Sequence, residues 1–131
     1  MATIFSKIIN GDIPSYRVAE DDSFFAFLDI NPLRKGHTLV IPKKETDYIF
    51  DLDDNSLAEM MVFARKVAKA IEKVVPCKRI GVAVLGLEVP HAHIHLVPID
   101  SEADISFSKP RLELTQEEFS MLAEDIRNKM E

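Results

Sequence analysis

Three of the chain's four histidines stand at every second position in one short run, His91-Ala92-His93-Ile94-His95-Leu96-Val97-Pro98. A period of two is that of a β-strand, whose side chains point alternately to opposite faces. The run predicts a strand that buries Ala92, Ile94 and Leu96 and presents all three imidazoles on its other face. Imidazole gains nothing over Val or Ile as a strand former and needs partners when buried. Three histidines on one face therefore indicate a functional cluster.

Such a cluster has two chemical uses, and the residues alone leave both open. One is metal binding. At roughly 3.3 Å per residue, the α-carbons of His91 and His95 stand about 13 Å apart. This is a long span for one ion, because zinc–nitrogen distances are about 2.1 Å. Two of the histidines with a residue from elsewhere would still make a metal site. The other use is nucleophilic and acid–base catalysis, because imidazole is largely neutral at pH 7.

Apolar spacing predicts three helices. A short one spans residues 3–9 and ends at Asn10-Gly11. A long one is capped by Asp53, by Asp54 or by a Ser56–Glu59 capping box, and Pro76 follows its end. Its core face recurs at spacings of three and four: Leu57, Met60, Met61, Ala64, Val67, Ala68, Ile71, Val74 and Val75. A final helix begins with a Thr115–Glu118 capping box, and its apolar stripe is Phe119, Leu122, Ala123 and Ile126.

Alternation predicts further strands at about 16–20, 24–29, 37–41 and 79–85. The second places Phe25, Phe27 and Asp29 on one face, and the third groups His37, Leu39 and Ile41. Strand 79–85 is apolar on both faces, which predicts a central position in the sheet. Its short link to the histidine run predicts antiparallel neighbours. The predicted fold class is α+β: an antiparallel sheet of about five strands with one long helix, a short N-terminal helix and a C-terminal helix.

Length and composition predict one domain over residues 1–131, with a core at 3–99 and a C-terminal helical extension at about 114–130. The net charge of −6 comes without a block of like charges, which argues against a nucleic-acid partner. No run approaches the length of a membrane span, and the first residues do not look like a signal peptide. The single cysteine, Cys77, has no disulfide partner. We therefore expect a cytoplasmic protein without a membrane partner.

The motif at residues 91–97 resembles the signature of the histidine-triad (HIT) nucleotide hydrolases and transferases. Three further blocks resemble that family in order and spacing: Thr3–Ile9, Phe25–Pro32 and Gly36–Lys44. The resemblance covers residues 3 to about 99. It is closest to the branch of small histidine-triad nucleotide-binding proteins, the nucleoside phosphoramidases. It implies the HIT-like fold and a reaction that needs no metal or other cofactor.

The resemblance also implies a mechanism and roles for the four histidines. His93 attacks the α-phosphorus of a nucleoside 5′-phosphoramidate or dinucleoside polyphosphate, and water then releases the mononucleotide from a nucleotidyl-histidine. His95 donates to a phosphate oxygen or the leaving group. His91 and His37 form a supporting hydrogen-bond chain that fixes ring orientation and tautomer.

The binding residues that the resemblance implies include Asp29, which accepts hydrogen bonds from the ribose hydroxyls. A purine base is surrounded by Phe5, Ile8, Phe27, Ile30 and Leu39. Without the resemblance, Asp29 fits equally a carboxylate in a turn at a strand end, and the apolar residues fit an ordinary core.

One departure from the family pattern concerns the phosphate. The family usually has glutamine two residues before Val89, followed by serine, threonine or, in some bacterial members, glutamate. Here Leu87 and Glu88 hold these places. Leu87 cannot donate a hydrogen bond to phosphate, and an ionised Glu88 repels it unless it is protonated or turned away. We expect Glu88 to influence substrate choice.

Two rival functions stay open. A non-catalytic protein that binds purine nucleotides as a partner is favoured by Leu87 and Glu88, and a histidine metal-binding module is the third alternative. The resemblance also implies a symmetric homodimer, with an interface near Ile71 and strand 79–85. The edges of a lone sheet, which need covering, point the same way.

Overall fold

The computed structural model, which describes residues 2–130, contains a five-stranded antiparallel sheet and three α-helices. This confirms the predicted α+β class. The strands are β1 (Arg17–Glu20), β2 (Phe24–Leu28), β3 (Thr38–Pro42), β4 (Arg79–Ala83) and β5 (Ile94–Ile99). The helices are α1 (Ile4–Ile9), α2 (Asp54–Val74) and α3 (Gln116–Arg127). The limits of the expected domain, Met1 and Glu131, lie outside the described residues.

The sheet has the strand order β1-β2-β3-β5-β4, so the strand that carries His95 lies inside the sheet. β4 pairs antiparallel with β5, as predicted. The predicted central position of strand 79–85 is wrong, because β4 ends at Ala83 and forms an edge of the sheet. Val82 on this strand is 52% exposed. An apolar pattern on both faces indicates burial, but it does not say whether the covering surface belongs to the same chain.

The two faces of the sheet bury different sets of side chains. Phe24, Ala26 and Leu28 of β2 pack with α2 and α3 in the main core, whereas Phe25 and Phe27 lie in a second cluster on the other face. This confirms the predicted alternation of β2. The second cluster also contains Phe5, Leu39 and Ile41. Leu39 is the register partner of His95 on β5, so this face of the sheet carries the histidine.

The sequence left three options for the N-terminal cap of α2 and predicted a single cap for α3. Asp53 caps α2 by accepting the N–H of Ser56 at 2.7 Å, so the Ser56–Glu59 capping box is not used. The predicted capping box between Thr115 and Glu118 is present at the start of α3. The whole predicted stripe of α3 is buried: Phe119, Leu122, Ala123 and Ile126.

The buried face of α2 is rotated slightly from the predicted one. Met61, predicted to face the core, is 48% exposed, and Phe63 is buried instead. The buried residues of the helix are Met60, Phe63, Ala64, Val67, Ala70 and Ile71. Ile71 is fully buried within its own chain, and the dimer interface expected near it stays a prediction. Within residues 2–130, no helix is long and apolar enough to cross a membrane.

The histidine run is only half a strand. β5 begins at Ile94, so His91 and His93 precede it, and the prediction of one strand through all three histidines is wrong. The reason is that the N–H of Ala92 donates to the carbonyl of Thr46, outside the ladders of the sheet. The alternation survives, because Ala92, Ile94 and Leu96 are still buried in the main core.

Candidate active site

A pocket of about 520 Å³ opens beside the second cluster, on the sheet face away from α2. Its wall combines α1, the end of β2, β3, the loop before the histidines, β5 and a segment after it. The lining residues are Phe5, Asp29, Asn31, Leu39, Leu85, Gly86, Leu87, Glu88, Val89, His93, His95, Phe107 and Arg111. Five of the predicted site residues therefore share this pocket with Glu88.

The tautomer of His93 is fixed by the backbone. Its Nδ1 lies 2.7 Å from the carbonyl oxygen of His91, and because a carbonyl only accepts, Nδ1 carries the hydrogen. The lone pair of the neutral ring is therefore on Nε2. The ring of Phe5 packs against it edge to face, with the centroids 5.0 Å apart. Burial lowers the pKa of His93, which keeps the ring neutral and its Nε2 available as a nucleophile.

A hydrogen bond joins His37 to His95, and its direction is fixed. The Nδ1 atom of His37 accepts the N–H of Leu33 at 3.0 Å, so Nε2 carries the hydrogen and donates to Nδ1 of His95, also at 3.0 Å. The remaining hydrogen of a neutral His95 is then on its Nε2. Burial lowers the pKa of His37 to about 3 and that of His95 to about 4. The pair therefore fixes a neutral His95 as a hydrogen-bond donor.

His91 is tied to the scaffold rather than to His37. Its Nε2 donates to the carbonyl of Pro42 at 2.8 Å, and its Nδ1 lies 2.8 Å from the hydroxyl of Thr3, the N-cap residue of α1. The predicted chain that joins His91 to His37 therefore does not form through their rings. His91 acts on its neighbour through its backbone carbonyl, which holds the ring of His93.

Asp29 makes the contact of a turn carboxylate and also lines the pocket, so its predicted hydrogen bonds to ribose stay a prediction. One carboxylate oxygen accepts the N–H of Asn31 at 2.8 Å, the contact of a turn carboxylate. The other lies 3.6 Å from Nε2 of His37, and the side chain also lines the pocket. Burial raises the pKa of Asp29, against the opposing effects of the Asn31 N–H and the positive charge of Arg111. A carboxylate at this position can accept hydrogen bonds from hydroxyl groups in the pocket.

The apolar residues that were predicted to surround a base are not equivalent. Phe5 and Leu39 line the pocket. Phe27 packs behind Phe5, with ring centroids 5.6 Å apart, and Ile8 is partly buried against the same cluster. Ile30 is 64% exposed and is not part of the pocket wall, because the turn at Asp29 brings Asn31 to the pocket instead.

Phe107 and Arg111, which follow β5 in the chain, are among the wall residues that sequence reasoning missed. The ring of Phe107 packs edge to face on His95, with the centroids 4.7 Å apart, and on His37 at 6.3 Å. The segment around them has no strand or helix period, so no pattern indicated where it goes. Their only signal was an aromatic and a cation within a polar stretch.

A metal ion has one candidate set of ligands in the described part of the chain: Asp29, His37 and His95, whose ligand atoms lie within 4.8 Å of one another. The hydrogen bonds oppose it. A metal on Nε2 of His37 would have to displace the hydrogen to Nδ1, where it would face the N–H of Leu33. The three residues fit a hydrogen-bonded relay better than an ion.

Comparison with known proteins finds relatives in sequence and in fold. The family model for the HIT domain matches residues 10–102. The chain is 37% identical over 133 residues to an adenosine 5′-monophosphoramidase of Schizosaccharomyces pombe, with 99% of each chain covered. A crystal structure of a HIT-like protein from Bartonella henselae aligns with a TM-score of 0.83 at 34% identity, covering 98% of this chain and 96% of the other. A zinc-bound histidine triad family protein from Mycobacterium smegmatis aligns with the same TM-score at 29% identity, covering 98% and 93%.

Proposed function

The chain belongs to the HIT domain family, and from that premise we propose that it is a nucleotidyl hydrolase. Its substrate is a nucleoside 5′-phosphoramidate or a dinucleoside polyphosphate, cleaved at the α-phosphorus. The observation that carries the proposal is the hydrogen bond from Nδ1 of His93 to the carbonyl of His91, because it leaves the nucleophilic lone pair on Nε2.

The reaction runs in two displacements. Nε2 of His93 forms a bond to the α-phosphorus, and the P–N or P–O bond breaks with its electron pair going to the leaving group. An amine leaving group departs as the neutral amine, with a proton taken from the solvent. The ring of His93 becomes cationic in the nucleotidyl intermediate, and the His91 carbonyl stabilises that charge through the Nδ1 hydrogen. Water then attacks the same phosphorus as the P–Nε2 bond breaks. The electron pair of that bond returns to the now neutral imidazole, and the attacking water releases a proton to the solvent. Covalent catalysis of this kind divides one difficult step into two easier ones.

The Nε2 hydrogen of His95 is in position to stabilise the charge on the phosphate oxygens. The ring centroids of His93 and His95 lie 4.9 Å apart. Nε2 of His95 can therefore donate its hydrogen to a phosphate oxygen or to the leaving group. A donor that is held in position before the reaction costs no reorganisation during it.

The rest of the nucleotide is held by the pocket wall. Phe5 and Leu39 provide the apolar surface for a purine base, and Asp29 accepts hydrogen bonds from the ribose hydroxyls. The relative from Schizosaccharomyces pombe, named an adenosine 5′-monophosphoramidase, supports adenosine as the nucleoside. No metal or cofactor takes part in these steps.

We also propose that the protein is a homodimer that pairs through β4. This strand is a sheet edge, and Val82, Val84 and Leu85 at and beyond it are 52%, 39% and 55% exposed. An apolar sheet edge is a common site of pairing with a second chain, and a two-fold interface is the commonest arrangement.

The test is a comparison of the wild type with His93→Ala on adenosine 5′-phosphoramidate and diadenosine polyphosphates. We expect the variant to lose turnover and to keep nucleotide binding, since binding rests on the apolar wall and Asp29. Brief reaction of the wild type and acid-free mass spectrometry should place a mononucleotide adduct on His93. An adduct on another residue, or full activity in His93→Ala, would refute the mechanism. Nucleotide binding by a wild type that turns over none of these compounds would favour the non-catalytic rival.

A further inference from the structure

The chain crosses back to the pocket after β5 in a short segment, residues 106–112, which we call the C-terminal strap. Before it, Arg34 forms ion pairs with Asp100, at 3.1 Å, and with Asp104. At its far end, the N–H of Leu112 donates to the carbonyl of Pro32 at 2.8 Å. Contacts before and at the end of the strap therefore join it to one loop, residues 31–34, beside the pocket.

The strap brings a guanidinium group to the pocket wall. Arg111 Nη1 donates to the carbonyl of Asn31 at 2.7 Å, and the guanidinium carbon lies 5.5 Å from the centroid of the Phe107 ring. These two contacts use one of the five N–H donors of the group and one of its faces. The other donors remain for an anion in the pocket, which Arg111 lines together with His93 and His95.

The charges of the pocket show why this cation matters. Asp29 and Glu88 are the acidic residues of its wall, and Arg111 is the only arginine or lysine among the described residues that line it. His95 is neutral, since burial, with like-charge repulsion from His93 and Arg111, lowers its pKa to about 4. Leu87 in the pocket wall is 92% exposed, and its side chain has no hydrogen-bond donor. A phosphate in this pocket meets two carboxylates and a single permanent positive charge.

The strap is also separate from the part of the chain that the family model covers. That match ends at residue 102, whereas Phe107 and Arg111 follow it. The positive charge of Arg111 therefore comes from outside the segment, residues 87–95, in which the family resemblance placed the phosphate contacts.

We propose that Arg111 binds the phosphate of the nucleotide and supplies the hydrogen-bond donor and positive charge that Leu87 and Glu88 do not. This inference rests on the proposed function, because it requires a nucleotide whose phosphate lies beside His93 and His95. A guanidinium group suits the role, since its planar fork can donate two parallel hydrogen bonds to phosphate oxygens. Its bond to Asn31 holds the group in position before the ligand arrives.

The experiment compares the binding of AMP and of adenosine by titration calorimetry, in the wild type and three variants. Arg111→Gln removes the charge and keeps a donor, Arg111→Lys keeps the charge, and Arg65→Gln removes one exposed positive charge on α2 as the matched control. The unfolding midpoint of each variant is measured in the same buffer. Binding is used rather than turnover, so that the result does not depend on the nucleophile.

We expect Arg111→Gln to bind AMP about tenfold or more weakly than the wild type, which is the effect of losing a charge-assisted hydrogen bond. Its affinity for adenosine should stay within about twofold of the wild type. Arg111→Lys should recover part of the loss, and Arg65→Gln should match the wild type. Equal weakening of AMP and adenosine would mean that Arg111 only supports the loop, and unchanged AMP binding would mean that it does not touch the phosphate. Either result overturns this inference and leaves the proposed function standing. A wild type that binds neither ligand would overturn both.

Discussion

The Nε2 atom of His37 donates to Nδ1 of His95 across 3.0 Å, and the N–H of Leu33 on the far side of the His37 ring determines that direction. A backbone N–H thus sets the tautomer of a histidine two hydrogen bonds away. The consequence is that the hydrogen of His95 is on the nitrogen that is free to donate in the pocket.

The first prediction concerns this relay. His37→Phe removes the donor and leaves Nδ1 of His95 buried without a partner, which costs roughly 1–3 kcal/mol. We expect kcat to fall about tenfold or more, because His95 can then change tautomer and no longer donate to the phosphate or the leaving group. His37→Gln, whose amide can donate to His95, is the matched control and should lose less. Equal losses of kcat in both variants would contradict the relay.

A second prediction separates the two contacts of Asp29. Asp29→Asn keeps an oxygen that can accept the N–H of Asn31 and removes the charge. A charge-assisted hydrogen bond is worth roughly 1.5–3 kcal/mol. We therefore expect the substitution to reduce the affinity for AMP more than the affinity for 2′-deoxy-AMP. Calorimetric titration of both nucleotides measures the difference. If both sugars lose affinity equally, the carboxylate serves only the turn.

The third prediction is a loss of stability in mild acid. Burial lowers the pKa of His37 to about 3 and that of His95 to about 4, whereas in the unfolded chain both have a pKa of about 6.5. The unfolded state therefore binds more protons below that pH, and the free energy of unfolding falls as the pH drops from about 6.5 to about 4.

Two aspartates act differently in this window. Asp29, whose pKa is raised by burial, opposes the loss, since its folded form takes up a proton first. Asp104 has a pKa lowered to about 2, mainly by the N–H of Asp100, so it acts at lower pH. Urea unfolding of the wild type and of His37→Gln at several pH values checks the prediction. The variant should show the shallower fall, and parallel curves for the two proteins would contradict it.

The fourth prediction is that the protein is a dimer and that Val82→Glu makes it a monomer. A charge on the β4 edge would be desolvated in the interface, which is costly for an ion without a partner. Light scattering at micromolar concentration measures the mass, and Met121→Glu on α3, where Met121 is 58% exposed, is the control. A wild type that is monomeric at that concentration would rule out the proposed interface.

Much of the fold was predictable because periodic patterns record local geometry. The alternation of β2 put Phe25 and Phe27 on the site's face, and the Thr115–Glu118 capping box marked the start of α3. The edge position of β4 was not predictable, because the two-sided apolar pattern of a strand does not specify which surface covers it. The break between His93 and Ile94 was missed as well, since it depends on a bond from Ala92 to the distant Thr46.

The sequence by itself determined that the histidines alternate with buried Ala92, Ile94 and Leu96, because the period of side chains along an extended chain is a local property. The tertiary structure alone decided which ring nitrogen carries each hydrogen. The partners that settle this are the Leu33 N–H for His37 and the Pro42 carbonyl for His91. It alone brought Arg111, with no periodic pattern around it, to the pocket wall. Hydrogen-bond direction and charge in a site depend on groups that only folding brings within about 3 Å of each other.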